Sequence, residues 1–328
     1  MRKVKTAIIG IGHDHAWSIT KTLIKNSDVF DLAGYYIPPE EEGRFDDKID
    51  VFDGMKRLTL EEIIDDASIE AVAIETEDKF LPKYAQIAAS NGKHIHMDKP
   101  GSGDLEEFVK LIDTVKEKNV VFSTGYMYRF NPYIIELKRQ IAAGELGDII
   151  SIEAQMNCIH NAEKRNWLAD YPGGMLHFLG CHLIDVIFSI QGKPERIIPL
   201  SRRTGLDDAK GEDFGMAVFE YKNGVSFAKT VAVEYGGFDL RQITVTGSKK
   251  TVELKPIEQF DAEGMFSKRT EYTQWEWSNR GVSDTTYFDR YDDMMKAFAA
   301  YVCGEKVNPI TPDYELELYK TILKACGK

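Results

Sequence analysis

The chain has 328 residues, 43% of them hydrophobic and 29% charged, which predicts two globular domains, each with its own core. Its 41 basic and 53 acidic residues leave a net charge of -12, which disfavours nucleic acid as a partner because phosphate binding needs a basic face. Cys158, Cys181, Cys303 and Cys326 form no CxxC pair, the apolar run 6–9 is too short for a signal peptide, and no stretch approaches the roughly 20 apolar residues of a membrane helix; the expectation is a cytoplasmic protein with reduced thiols and no membrane partner.

In chain order, residues 5–9 read as a short apolar strand and 16–25 as a helix spaced through Trp17, Ile19, Leu23 and Ile24. Strand 32–37, helix 60–65, strand 71–74, helix 80–90, strand 94–97, helix 105–118 and strand 120–124 follow. Such strand–helix alternation predicts a doubly wound, parallel Rossmann-type sheet covered on both faces. After Gly125 the pattern changes: helix 132–143, strand 148–156, a polar and aromatic loop 157–174 and an apolar helix 175–191. Asn223-Gly224 between apolar runs signals a hairpin, Gly247-Ser248-Lys249-Lys250 a second one, and helices near 287–303 and 312–325 close the chain. The expectation is an α/β domain over 1–124 and an α+β domain with a largely antiparallel sheet over 125–328.

Two motifs carry chemistry. Gly10-Ile11-Gly12-His13-Asp14-His15 lies at the first strand–helix turn; Gly10 allows the tight turn and Gly12 lets the backbone approach a pyrophosphate at the helix N-terminus, with His15 in place of the third glycine. Asp98-Lys99-Pro100 ends a buried strand, where open α/β sheets bind their ligands, and the proline stiffens the turn that aims Lys99. The acid expected at the end of the second strand for the ribose is missing: the sequence there is Tyr35-Tyr36-Ile37-Pro38-Pro39, with Glu40 the nearest downstream acid and Arg44 a candidate for a 2′-phosphate. The cofactor is therefore NAD or NADP.

These motifs, with Gly125-Tyr126-Met127-Tyr128-Arg129-Phe130-Asn131-Pro132, the run from Gly173-Gly174 to Gly180-Cys181-His182-Leu183-Ile184-Asp185 and Val245-Thr246-Gly247, come in the order of the glucose–fructose oxidoreductase / inositol dehydrogenase / rhizopine-catabolism (Gfo/Idh/MocA) family, which the chain resembles over nearly its whole length. The resemblance implies a hydride transfer between nicotinamide and a sugar, polyol or cyclitol, with Lys99 as acid/base and cofactor contact. It also implies a second-domain sheet that packs in a homo-oligomer, a dimer or tetramer. Cofactor contacts are expected from Gly10, Gly12, His13, Thr76, Asp78, Asp98 and Lys99. The family's Glu-Lys-Pro is here Asp98-Lys99-Pro100, its Thr-Pro-Asn is Thr76-Glu77-Asp78, Leu81 stands where a histidine is common, and Phe178 replaces a frequent aspartate.

His182 would hydrogen-bond the reacting oxygen or serve as a core histidine; Asp185, at i+3, would fix that ring or play a structural part. Arg129 would anchor a substrate carboxylate or phosphate or form an internal ion pair. Tyr126, Asn161, Trp167 and His177 complete the expected substrate contacts, with Asn157, His160 and Arg165 in the same polar-aromatic loop. His13-x-His15 and His94-x-His96 put two rings on one face, but no carboxylate–histidine spacing accompanies them, so no metal is expected. A non-redox glycosidase or lyase that uses NAD transiently, or a cofactor-binding protein without chemistry, are the alternatives.

Overall fold

A computed structural model of the chain describes residues 2–45, 47–273 and 280–328. Two compact units emerge: residues 1–126 with 291–319, and residues 127–290 with 320–328. The first contains β1 (Val4–Ile9), α1 (Ala16–Lys25), β2 (Phe30–Tyr36), α2 (Leu60–Asp65), β3 (Ala71–Ile74), α3 (Leu81–Ser90), β4 (His94–Met97), α4 (Leu105–Lys118) and β5 (Phe122–Thr124). The second begins with α5 (Pro132–Ala142), β6 (Ile149–Gln155), α6 (Ala162–Trp167) and α7 (Cys181–Gln191). It continues with β7 (Arg196–Pro199), β8 (Phe214–Tyr221), β9 (Gly224–Val231), β10 (Gln242–Gly247), β11 (Thr251–Leu254), β12 (Gln259–Phe260), β13 (Met265–Tyr272) and β14 (Val282–Tyr287); α8 (Asp292–Val302) belongs to the first unit, where α9 (Pro312–Ala325) also begins.

In the first unit five parallel strands run in the order β2-β1-β3-β4-β5. Ala71 to Ile74 are buried on both faces, as a strand between two helical layers must be. Helix starts are written locally: Thr59 and Glu62 form a capping box on α2, and the Asp104 carboxylate accepts the Glu106 and Glu107 amides at the start of α4. The strand order reverses between β1 and β3, the switch point at which such sheets open a ligand crevice. The glycine turn follows β1, and Glu75 to Asp78 follow β3.

The second unit holds a nine-stranded sheet ordered β12-β13-β11-β10-β6-β9-β8-β7, with β14 on β13; every pairing is antiparallel except β6 with β9. Two expectations are corrected. The loop over 157–174 contains α6, which the Asn161 side chain caps by accepting the Lys164 amide. The apolar helix over 175–191 is a π-helical turn, Leu176–Gly180, leading into α7. Gly180 accommodates that change, since a Cβ there would lie 2.6 Å from Leu176 Cδ1.

Candidate active site

The glycine turn is built by close approach. Gly10 has φ +89°, and a Cβ on it would lie 2.7 Å from the Thr76 backbone, so β1 and the β3 loop meet too tightly for any side chain. The Ile11 and Gly12 amides that this turn presents donate to one carboxylate oxygen of Glu41, at 2.8 and 3.0 Å, and the Glu77 amide donates to the other at 2.6 Å. Burial pushes the Glu41 carboxyl up, and the three amides offset part of that. Three convergent N–H groups gripping an anion are the chemistry a dinucleotide phosphate needs, and Glu41 now fills that seat. Glu40 instead pairs with Lys83 and accepts from Tyr84 at 2.8 Å. Arg44, the candidate for a 2′-phosphate, forms a fork with Glu77.

At the end of β4, Lys99 is 1% exposed and the Lys99–Pro100 peptide is cis. The sheet pleat puts His94, His96 and Asp98 on one side. Asp98 is fully buried and meets His13 Nδ1 at 3.1 Å and His15 Nδ1 at 3.2 Å. Glu75 lies beside it with both oxygens buried, close enough for a protonated Glu75 to hydrogen-bond Asp98. Burial and the neighbouring Asp98 charge hold the Glu75 carboxyl well above its ordinary value. Burial would raise the Asp98 carboxyl too, but His13 and His15 outweigh it and hold it well below. Burial pushes His15 down to about 4. For His13 burial is outweighed by Asp98 and Asp78, and its pKa rises. His13 and Asp98, expected at the cofactor, thus take each other as partners. Asp78 is nearly buried with an oxygen 3.9 Å from His13 Nε2, Thr76 lies under Gly10, and Tyr126 is 2% exposed just past β5.

In the second unit His182 and Asp185 sit fully buried on α7. Asp185 accepts from Arg129 Nε at 3.0 Å and from its terminal amine at 2.8 Å, a bidentate ion pair. Of the two readings of Arg129 and Asp185, the geometry realises the internal pair. The His182 ring packs 5.5 Å from Tyr128, whose hydroxyl donates to Glu258 at 2.8 Å. Glu258, fully buried between Arg241 and Arg290, went unnoticed in the sequence, where nothing marks its partners. Phe178 packs edge-on to Trp167 at 5.3 Å, and Lys164 Nζ lies 3.7 Å from the Trp167 ring centre. His177 is buried and stacked on Tyr171 at 5.7 Å. Arg165 is only 2% exposed and pairs with Asp213. The polar-aromatic loop therefore spends Asn161 on a helix cap and Arg165 on an ion pair, while Asn157 is wholly buried with both amide atoms lacking a partner among the described residues.

Residues 4–126 match the NAD-binding Rossmann fold of an oxidoreductase family, and residues 134–253 match the Gfo/Idh/MocA C-terminal domain. The chain belongs to the Gfo/Idh/MocA family. Its relatives include a glucose-6-phosphate 3-dehydrogenase of Bacillus subtilis, 29% identical over 55% of this chain and 50% of that protein. An NADP-dependent scyllo-inositol 2-dehydrogenase of the same organism is 27% identical over 54% and 48%. The alignments thus span about half the length of these curated relatives. The fold is similar to that of an aldose–aldose oxidoreductase from Caulobacter crescentus, with a TM-score of 0.79 at 18% identity over 99% of this chain and 98% of that one. As a Gfo/Idh/MocA protein the chain has an NAD(P)-binding Rossmann domain and a second α+β domain. No helix among the described residues is long and apolar enough to cross a membrane.

Proposed function

We propose that this Gfo/Idh/MocA protein is an NAD(P)-dependent dehydrogenase or reductase that acts on a hydroxyl or carbonyl of a sugar, polyol or cyclitol, with Lys99 as its acid/base. The observation that carries the reading is the burial of Lys99 at the carboxyl end of β4, beside the switch point whose glycine-turn amides already grip an anion. The turn at Gly10 and Gly12, with Thr76 and Asp78 on the neighbouring loop, would hold the dinucleotide once the Glu41 carboxylate withdraws from the amides. When bound, the nicotinamide supplies the hydride acceptor or donor.

Lys99 Nζ takes the proton from the substrate hydroxyl oxygen during oxidation and returns it during reduction. His182, buried on α7 beside Tyr128, is the second unit's candidate for a hydrogen bond to a substrate oxygen. Arg129 and Asp185 act on each other and hold α7 to the turn before α5, which positions the histidine. Two of the relatives named above are dehydrogenases of glucose 6-phosphate and of scyllo-inositol, which supports a polyhydroxylated substrate here.

Absorbance at 340 nm with a panel of sugars, polyols and inositols tests the reading. Lys99→Ala is expected to lower kcat by at least about 100-fold, the range of general acid–base catalysis, with an unchanged circular dichroism spectrum. Full activity in that variant, or product release with no net change in NADH, would overturn it.

A further inference from the structure

Around the end of β4 gather four buried side chains, His13, Glu75, His96 and Asp98, with the part-buried His15, more than the proposed hydride chemistry uses. His13 Nε2 lies 3.1 Å from the Lys99 carbonyl oxygen, which only accepts, so Nε2 carries the hydrogen. His13 Nδ1 accepts the His15 amide at 3.1 Å, so it presents a lone pair. Yet Asp98 Oδ2, also an acceptor, stands 3.1 Å from that nitrogen with neither group exposed to water. His15 Nδ1 faces the same carboxylate at 3.2 Å from each oxygen. Two acceptors pressed together in a dry interior repel unless positive charge lies between them.

The donor atoms of His13, His15 and Asp98 all lie within 4.8 Å of one another. Donors that share one cation at about 2.0–2.2 Å sit roughly 3.0–3.5 Å apart, the separation of each histidine from Asp98. A second, independent observation lies alongside: His96 has two fully buried ring nitrogens with no hydrogen-bond partner among the described residues, and its Nε2 is 4.0 Å from Oε1 of the buried Glu75. We propose that His13, His15 and Asp98 form a binding site for a divalent first-row transition cation, with Glu75 as a further ligand or as the acceptor for a metal-bound water. Two imidazoles and a carboxylate match such metals and not Mg2+ or Ca2+, which prefer all-oxygen shells. The cation would tie the glycine turn to the end of β4, and so tie the anion seat to the strand that carries Lys99.

Full-length protein stripped with a chelator, incubated with Zn2+ and desalted, tests this by elemental analysis. About one Zn2+ per chain is expected, with Co2+ giving visible absorption bands that imidazole and carboxylate ligands produce. His15→Gln and Asp98→Asn are expected to lower the retained metal at least tenfold, whereas His94→Gln, on the same strand, is expected to keep it. Circular dichroism and a thermal melt establish that each variant is folded. Because a ligand of the folded state raises the melting temperature, Zn2+ is expected to do so in the parent chain and not in His15→Gln. Should the parent retain no stoichiometric metal, or should folded His15→Gln retain as much as the parent, the proposal is overturned and a proton on His13 fills the place assigned to the cation. NADH binding, followed by fluorescence in the same samples, reports on the Rossmann site separately.

Discussion

At the level of single residues, Glu41 decides how the nucleotide site is presented. The glycine turn was legible as an anion seat, but its occupant was not, because Glu41 follows Pro38-Pro39 and a five-residue excursion from β2 cannot be aimed from the sequence. Its carboxylate competes with any phosphate for the Ile11 and Gly12 amides. Hydrogen bonds to a charged group contribute about 1.5–3 kcal/mol each, so Glu41→Ala is expected to tighten ADP-ribose or NADH binding by about tenfold, ~1.4 kcal/mol. Calorimetric titration showing unchanged or weaker binding would mean that Glu41 serves the bound nucleotide and does not compete with it. Asp98 taught the converse lesson. Its place in a family motif suggested the cofactor, yet strand alternation turns it to the same side as His96, where His13 and His15 meet it.

Elements were the most legible scale. Strands β1, β3 and β4 and helices α3 and α4 announced themselves by apolar runs, helical spacing and terminal signals such as Asn91-Gly92. Asp104 caps α4 by accepting two backbone amides, at 2.8 and 3.2 Å. Asp104→Ala is expected to cost about 1 kcal/mol, visible as a melting-temperature drop of roughly 2–4 °C; a drop of less than a degree would show that α4 is held by its buried face alone. The π-helical turn before α7 was not legible. A run of apolar residues around Phe178 fits any helix, and only packing of Gly180 against Leu176 and Thr230 selects the wider turn. Strands β12, β13 and β14 were missed for a related reason: their polar, partly exposed residues carry little alternation, and they are ordered by pairing, β13 on β11 and β12 and β14 on β13.

Across the whole molecule, charges far apart in the chain become partners. Glu258 meets Tyr128, Arg241 and Arg290 with no local spacing to announce it. Burial disfavours its charge, but Arg290 and Arg241 outweigh burial and its pKa is lowered. A carboxyl lowered in the folded state stabilises fully above its unfolded value of about 4.3 and loses that contribution as pH falls through the folded value. Acid unfolding is therefore expected to steepen below about pH 4. Glu258→Gln is expected to cost about 3–5 kcal/mol at pH 7, the range for breaking a buried ion pair, and to flatten that acid limb; a parallel loss at every pH would assign the effect to packing.

The sequence by itself determined the two-part α/β and α+β architecture, the glycine turn, the place of a lysine at the end of a buried strand and the family, because each is written in local periodicity or in short contiguous motifs. The tertiary structure alone decided which acid sits on the turn amides, which histidines surround Asp98 and that Arg129 is spent on Asp185. Those outcomes depend on residues tens of positions apart meeting in a dry interior, where an unmatched donor or charge costs more than any local preference can return.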